Sequence, residues 1–152
     1  NEPFVSIYGQ DISAALERAG LGFGREVELL TLAKERGFLT FGWAFSPEQA
    51  ATLVAAGADF IGAMAGISTN TFPLDSFADE IQRLGEISDT AKRCRTSCLV
   101  LGHGGPFTTA SAIGELLTQT SLDGFATGSN IERDVVHLAV KSAVASLKQG
   151  LA

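Results

Sequence analysis

The segment Leu99-Val100-Leu101-Gly102-His103-Gly104-Gly105-Pro106 concentrates the chemistry that this chain can offer. An apolar strand stops at a histidine, two glycines and a proline, which brings an imidazole and bare backbone N–H groups to one spot. An imidazole at a strand's end is suited to general acid or base work near neutral pH. The competing reading of His103 is a ring hydrogen-bonded to neighbouring loops. Gly104 and Gly105 can take φ > 0, so either a sharp turn or a closely approaching ligand accounts for them. One βα unit later, Asp123-Gly124-Phe125-Ala126-Thr127-Gly128-Ser129-Asn130 repeats the pattern of strand, glycine-containing turn and helix. The N–H groups of Gly104, Gly105, Gly128, Ser129 and Asn130 could then donate to a phosphate or carboxylate, with the positive end of the last helix behind them. Arg133 opposes that helix dipole, and either a bound anion or pairing with Glu132 explains its charge there. Two such exits in succession are the form of a phosphate-binding rim at the end of a parallel barrel.

Other chemistry-bearing residues carry weaker signals. Glu26 shares a helical face with Leu29, Leu30 and Ala33 and so points toward the barrel, which fits a base, a metal ligand or a cap of its own helix. Asp11 fits a metal ligand or a turn cap. Asp59 opens a strand and so lies at the end away from the rim, as a turn residue. His137 falls with Asp134 and Lys141 on a polar stripe and reads as solvated. Phe41, Trp43 and Phe45 alternate along one strand, which core packing or helix contact explains better than a cofactor box.

Composition narrows the classes. The chain has 152 residues, 45% of them hydrophobic, enough for one domain with a substantial core. A net charge of −6 and no basic cluster beyond Lys92, Arg93 and Arg95 exclude a nucleic-acid footprint. No apolar run approaches the roughly 20 residues that cross a bilayer, and no signal-peptide pattern opens the chain, so a cytoplasmic protein is expected. Cys94 and Cys98 have no companion ligands at zinc spacing and read as two reduced, mostly buried thiols.

Strand and helix signals alternate along the whole chain. Strands are expected at Phe4–Tyr8, Phe38–Phe45, Asp59–Ala65, Cys98–Leu101 and Gly124–Thr127. Between them come helices at Arg25–Arg36, from the Ser46-Pro47-Glu48 start to Ala56-Gly57, at Asp75–Arg93 and at Ala110–Leu117. A terminal helix over Glu132–Lys148 is expected to bury Val136, Ala139, Val140, Ala143 and Leu147. Serine as N-cap, proline in the first turn and an acid at the positive end make the Ser46 start the clearest boundary. Near-continuous apolar strands separated by helices mean a parallel sheet covered by helices. The Rossmann glycine fingerprint is missing from the first βα turn, which leaves a barrel as the better architecture. A closed barrel takes about 250 residues, so five βα units amount to its later part.

Four motifs in order carry a resemblance: Glu17-Arg18-Ala19-Gly20-Leu21-Gly22-Phe23-Gly24-Arg25-Glu26-Val27-Glu28, Ala56-Gly57-Ala58-Asp59, His103-Gly104-Gly105-Pro106, and Asp123-Gly124-Phe125 with Gly128-Ser129 and Glu132-Arg133. Together they resemble the phosphoenolpyruvate hydrolase-like TIM-barrel family. The likeness implies one domain over residues 1–152, forming the C-terminal part of a (β/α)8 barrel. It also implies a hydrolase- or lyase-type enzyme acting on a small phosphorylated or carboxylated oxoacid. His103 and Glu26 would then be catalytic, Glu26 helping with a divalent ion such as Mg²⁺ if one is used. Gly104, Gly105, Gly128, Ser129, Asn130 and Arg133 would hold the anion. Departures occur at Tyr8, at Met64, Ala65, Asn70 and Thr71, and at Asp134-Val135. A similar domain forms part of a plant tobamovirus-resistance protein, which implies the alternative of a non-catalytic binding module. Met64 is the sole methionine and Asn1-Glu2-Pro3 leads directly into a strand, so the chain reads as a piece of a longer protein or as one trimmed at its N-terminus. Open sheet edges then call for either a missing N-terminal half or a homo-oligomer.

Overall fold

A computed structural model describes residues 10–66 and 77–149, without the side chains of residues 10–13, 129, 130, 133 and 134. In chain order the elements are α1 (Gln10–Arg18), α2 (Phe23–Glu35), β1 (Phe41–Ala44), α3 (Pro47–Ala55), β2 (Phe60–Met64), α4 (Phe77–Cys94), β3 (Leu99–His103), α5 (Ala110–Gln119), β4 (Gly124–Phe125) and α6 (Ser129–Gln149). The four strands form one parallel sheet in the order β1-β2-β3-β4. The expected strand at Phe4–Tyr8 lies outside the described residues, as do Asn70, Thr71 and Pro73 between β2 and α4. Sequence reading missed α1 altogether.

Period-two alternation gives the sheet two unlike faces. Gly42, Ala44, Ile61, Ala63, Val100 and Gly102 form the helix-covered side. A Cβ on Gly42 would meet Leu53 at 2.9 Å and Leu30 at 3.3 Å. Ile81, Leu84, Ile87 and Ala91 of α4 complete this core with Leu53, Val54 and Leu116. Ser46 caps α3 as expected, its Oγ accepting the Gln49 N–H at 3.3 Å with Pro47 in the first turn. The other face carries Phe41, Trp43, Leu99, Leu101 and His103, and Phe41 and Leu99 remain exposed at 40% and 44%. The core packing or helix contact expected of these aromatics is corrected: Phe41 and Trp43 pack on each other along β1, on the face away from the helix layer.

Opposite the strands' C-terminal ends, one device appears twice. Asp59 precedes β2 and accepts the Thr40 N–H at 2.9 Å and Lys34 Nζ of α2 at 2.6 Å. Asp123 precedes β4 and accepts the Val100 N–H at 2.7 Å and Lys92 Nζ of α4 at 2.9 Å. In each case an aspartate fastens its strand to the preceding one and a helix lysine closes the clamp. The Lys34 hydrogen bond, aided by the Thr40 N–H, holds the Asp59 carboxyl at about 2. Burial opposes ionisation of Asp123, but Lys92 and the Val100 N–H outweigh it and the net shift is downward. Asp59 thus has the structural place expected for it.

Three expectations about burial are corrected. The α6 stripe is not buried: Val136, Val140 and Leu147 are 60%, 57% and 68% exposed, and Ala139 and Ala143 are exposed with them. A helix after a parallel strand packs onto its own strand and the next one, and among the described residues no strand follows the two-residue β4. Leu29 is 65% exposed on α2, which flanks the first of the described strands, and only Leu30 of that stripe is buried. Cys94, the last residue of α4, is exposed, whereas Cys98 is buried.

Candidate functional site

The C-terminal ends of the strands are stitched together by backbone and one guanidinium. Arg83 of α4 reaches over two of them, with Nη1 donating to the Phe45 carbonyl at 2.8 Å and Nη2 to the Met64 carbonyl at 3.0 Å. Glu80 steadies it through an Nη2–Oε2 pair at 2.6 Å. A planar fork with several fixed donors suits this bridging better than an ammonium would. Sequence reasoning missed Arg83, because Phe45 and Met64 are distant in the chain and no local pattern links them.

Beyond the strands, the exits continue to pair. Ala65 N–H donates to the His103 carbonyl at 2.8 Å, Gly105 N–H to the Gly66 carbonyl at 3.3 Å, and Ala126 N–H to the Gly102 carbonyl at 2.8 Å. Gly104 and Gly105 have φ of 79° and 60°, in the left-handed region that glycine favours. A Cβ on Gly104 would lie 1.9 Å from the Gly66 oxygen, and one on Gly105 would lie 2.6 Å from the Ala65 Cβ. Close approach of the β2 and β3 exits therefore requires both glycines.

His103 ends β3 with a half-buried ring. Its Nδ1 lies 2.7 Å from the Ala126 carbonyl oxygen. A carbonyl only accepts, so Nδ1 carries the proton and Nε2 of the neutral ring keeps a lone pair. On one side the imidazole meets Trp43, with ring centroids 5.0 Å apart and planes at 49°. On another it borders Gly128, where a Cβ would lie 3.7 Å from His103 Cε1. Gly128 in turn accepts the Ile131 N–H at 3.1 Å as α6 begins. His103, Gly104, Gly105 and Gly128 thus share one end of the sheet. Ser129, Asn130 and Arg133 lie in the first turns of α6, and their side chains are outside the described structure.

Glu26 is elsewhere. It lines a cleft of about 290 Å³ between α2 and β1, with Leu29, Leu30, Ala33, Leu39, Thr40, Phe41 and Gly42. Among the described residues its Oε2 is buried without a hydrogen-bond partner, and burial pushes the carboxyl's pKa up. The capping alternative is corrected: Gly22 is the N-cap of α2, and Glu17 Oε1, not Glu26, accepts the Gly24 N–H at 3.0 Å. Among the described residues no three His, Cys, Asp or Glu side chains come together to hold a metal ion. Among the described residues Glu26 is the one carboxylate lining this cleft, whereas a divalent cation wants several oxygen ligands. The side chain of Asp11, now on α1, is outside the described structure. His137 is exposed on α6, as its polar stripe implies.

Among the described residues no helix is long and apolar enough to cross a membrane. Two tomato (Solanum lycopersicum) proteins, the ToMV susceptible protein tm-1(GCR26) and the ToMV resistance protein Tm-1(GCR237), are each 31% identical over 97% of this chain. The chain spans about a fifth of their length, 20% in both cases. A nitroalkane oxidase from Streptomyces ansochromogenes is similar in structure at a TM-score of 0.45 and 19% identity, over 66% of this chain and 29% of that one. A family model described as phosphoenolpyruvate hydrolase-like matches residues 1–149, and the chain belongs to that family.

Proposed function

We propose that this chain is part of a (β/α)8 barrel enzyme of hydrolase or lyase type that acts on a small phosphorylated or carboxylated oxoacid. The observation that carries this reading is the anchored imidazole beside the turn into α6. With Nδ1 fixed by Ala126, His103 Nε2 is the atom that takes or returns the substrate's proton. The acid's charged end sits at Gly104 and at Gly128, Ser129 and Asn130, where the dipole of α6 and Arg133 favour an anion. Gly105 shapes the turn, since its N–H is given to Gly66. Family membership supports the substrate class. Glu26 takes no proton-transfer step here, because its cleft opens along β1.

Calorimetry with inorganic phosphate and phosphoenolpyruvate, with and without Mg²⁺, tests the reading on the intact chain and on His103→Ala. Saturable binding that weakens at least tenfold in the variant, with turnover abolished, is expected. Unchanged turnover in a folded variant removes His103 from the chemistry.

The second reading is a non-catalytic recognition module. What favours it is the identity to two tomato proteins named for virus resistance and susceptibility. An absence of small-anion binding in the same titrations supports it.

A further inference from the structure

Trp43 stands on β1, yet its ring meets His103 on β3, two strands away. Gly62 of β2, which pairs with Trp43 in register, makes this reach possible. A Cβ at Gly62 would fall 2.1 Å from the indole Cε3 and 2.3 Å from Cζ3. The indole therefore reaches over a strand stripped of its side chain at this position. Phe41 buttresses it edge-on, with centroids 4.7 Å apart and planes at 74°. The partly exposed indole lies on the sheet face opposite the one that the described helices cover, where Phe41 and Leu99 are exposed.

We propose that Trp43 is a specificity-determining residue of the His103 site, selecting acids with a flat, unsaturated carbon end. The inference rests on the anion-binding reading above and adds the half of the ligand that the reading leaves open. A ligand whose charge sits at the head of α6 and whose reacting atom meets His103 Nε2 extends its uncharged end over the indole. An sp² carbon lies against that face with full contact, whereas a tetrahedral carbon holds a substituent off it. The negative π face also repels a carboxylate, which keeps the charged end toward α6. Stacking of this kind is worth roughly a two- to tenfold difference in affinity.

Calorimetric titration of the intact chain with pyruvate, lactate and inorganic phosphate tests this. Pyruvate and lactate carry one carboxylate each and differ in the geometry of the next carbon. Pyruvate is expected to bind about two- to tenfold tighter than lactate. Trp43→Leu should bring the ratio to about one while phosphate affinity stays within twofold, and Trp43→Phe should keep part of the preference. Gly62→Ala, which displaces the indole without removing it, should also lose the preference, so the result does not hang on one variant's folding. Equal affinity for pyruvate and lactate in the unaltered chain overturns the role of Trp43. So does a preference that survives in Trp43→Leu, and phosphate binding in either case leaves the anion site standing. Failure of all three probes to bind overturns the site reading and this inference with it.

Discussion

His103 Nδ1 stands 2.7 Å from the carbonyl oxygen of Ala126, so the side chain ending one strand is tied to the backbone leaving the next. Because that oxygen can only accept, the bond chooses the tautomer as well as the ring's orientation. Nitrogen NMR of the imidazole in its neutral form should show the proton on Nδ1. A neutral ring protonated on Nε2 would contradict the assignment of Nε2 as the proton-moving atom.

Gly104 and Gly114 should respond to alanine in opposite ways. At Gly104, φ is 79° and a Cβ would sit 1.9 Å from the Gly66 oxygen, so Gly104→Ala should cost on the order of 3 kcal/mol. At Gly114, within α5, nothing lies within 4 Å of the new methyl. There the gain in helix propensity should stabilise by about 0.5–1 kcal/mol. Urea unfolding of both variants reads these values, and equal effects would refute the close packing of the β2 and β3 exits.

The Lys34–Asp59–Thr40 clamp sets an acid limit on stability. Asp59 has an ordinary value of 3.8 and is held at about 2 in the fold, so its contribution is complete above about pH 4. It is lost as pH falls from there through about 2. On this clamp's account the urea midpoint should therefore decline below about pH 4, and Asp59→Asn should lower the midpoint above that pH and flatten the decline below it. A decline as steep in the variant as in the unaltered chain would place the acid sensitivity elsewhere.

Arg83→Lys preserves charge but not the fork that binds two carbonyls at once. One of the Phe45 and Met64 oxygens then loses its donor, at a cost of roughly 1–3 kcal/mol in urea unfolding. A neutral outcome would mean that backbone pairing alone fixes the β1 and β2 exits.

Glu26 should make the chain less stable as pH rises. Burial raises its pKa above 4.5, so the fold holds this proton more tightly than the unfolded chain and loses stability as the carboxyl ionises. Glu26→Gln, which has no charge to leave stranded beside Leu30 and Gly42, should raise Tm at pH 8 more than at pH 4.5. The reverse order, with the gain larger at pH 4.5, would show that the carboxylate has found a partner.

Local sequence specified whatever depends on neighbours in the chain. The Ser46-Pro47 start of α3, the apolar stripe of α4 and the end of β3 at His103 could be read because caps, helical period and strand breaks act within a few residues. So could the positive φ of Gly104 and Gly105, since consecutive glycines after a strand announce a backbone no other residue tolerates. Tertiary structure decided what those features meet. Arg83 finds Phe45 and Met64, Trp43 crosses Gly62 to His103, and Glu26 faces apolar walls along β1 away from the imidazole. The α6 stripe shows the same limit from the other side: its spacing marks an apolar face, but burial needs a neighbouring strand, and no pattern within the helix can supply one.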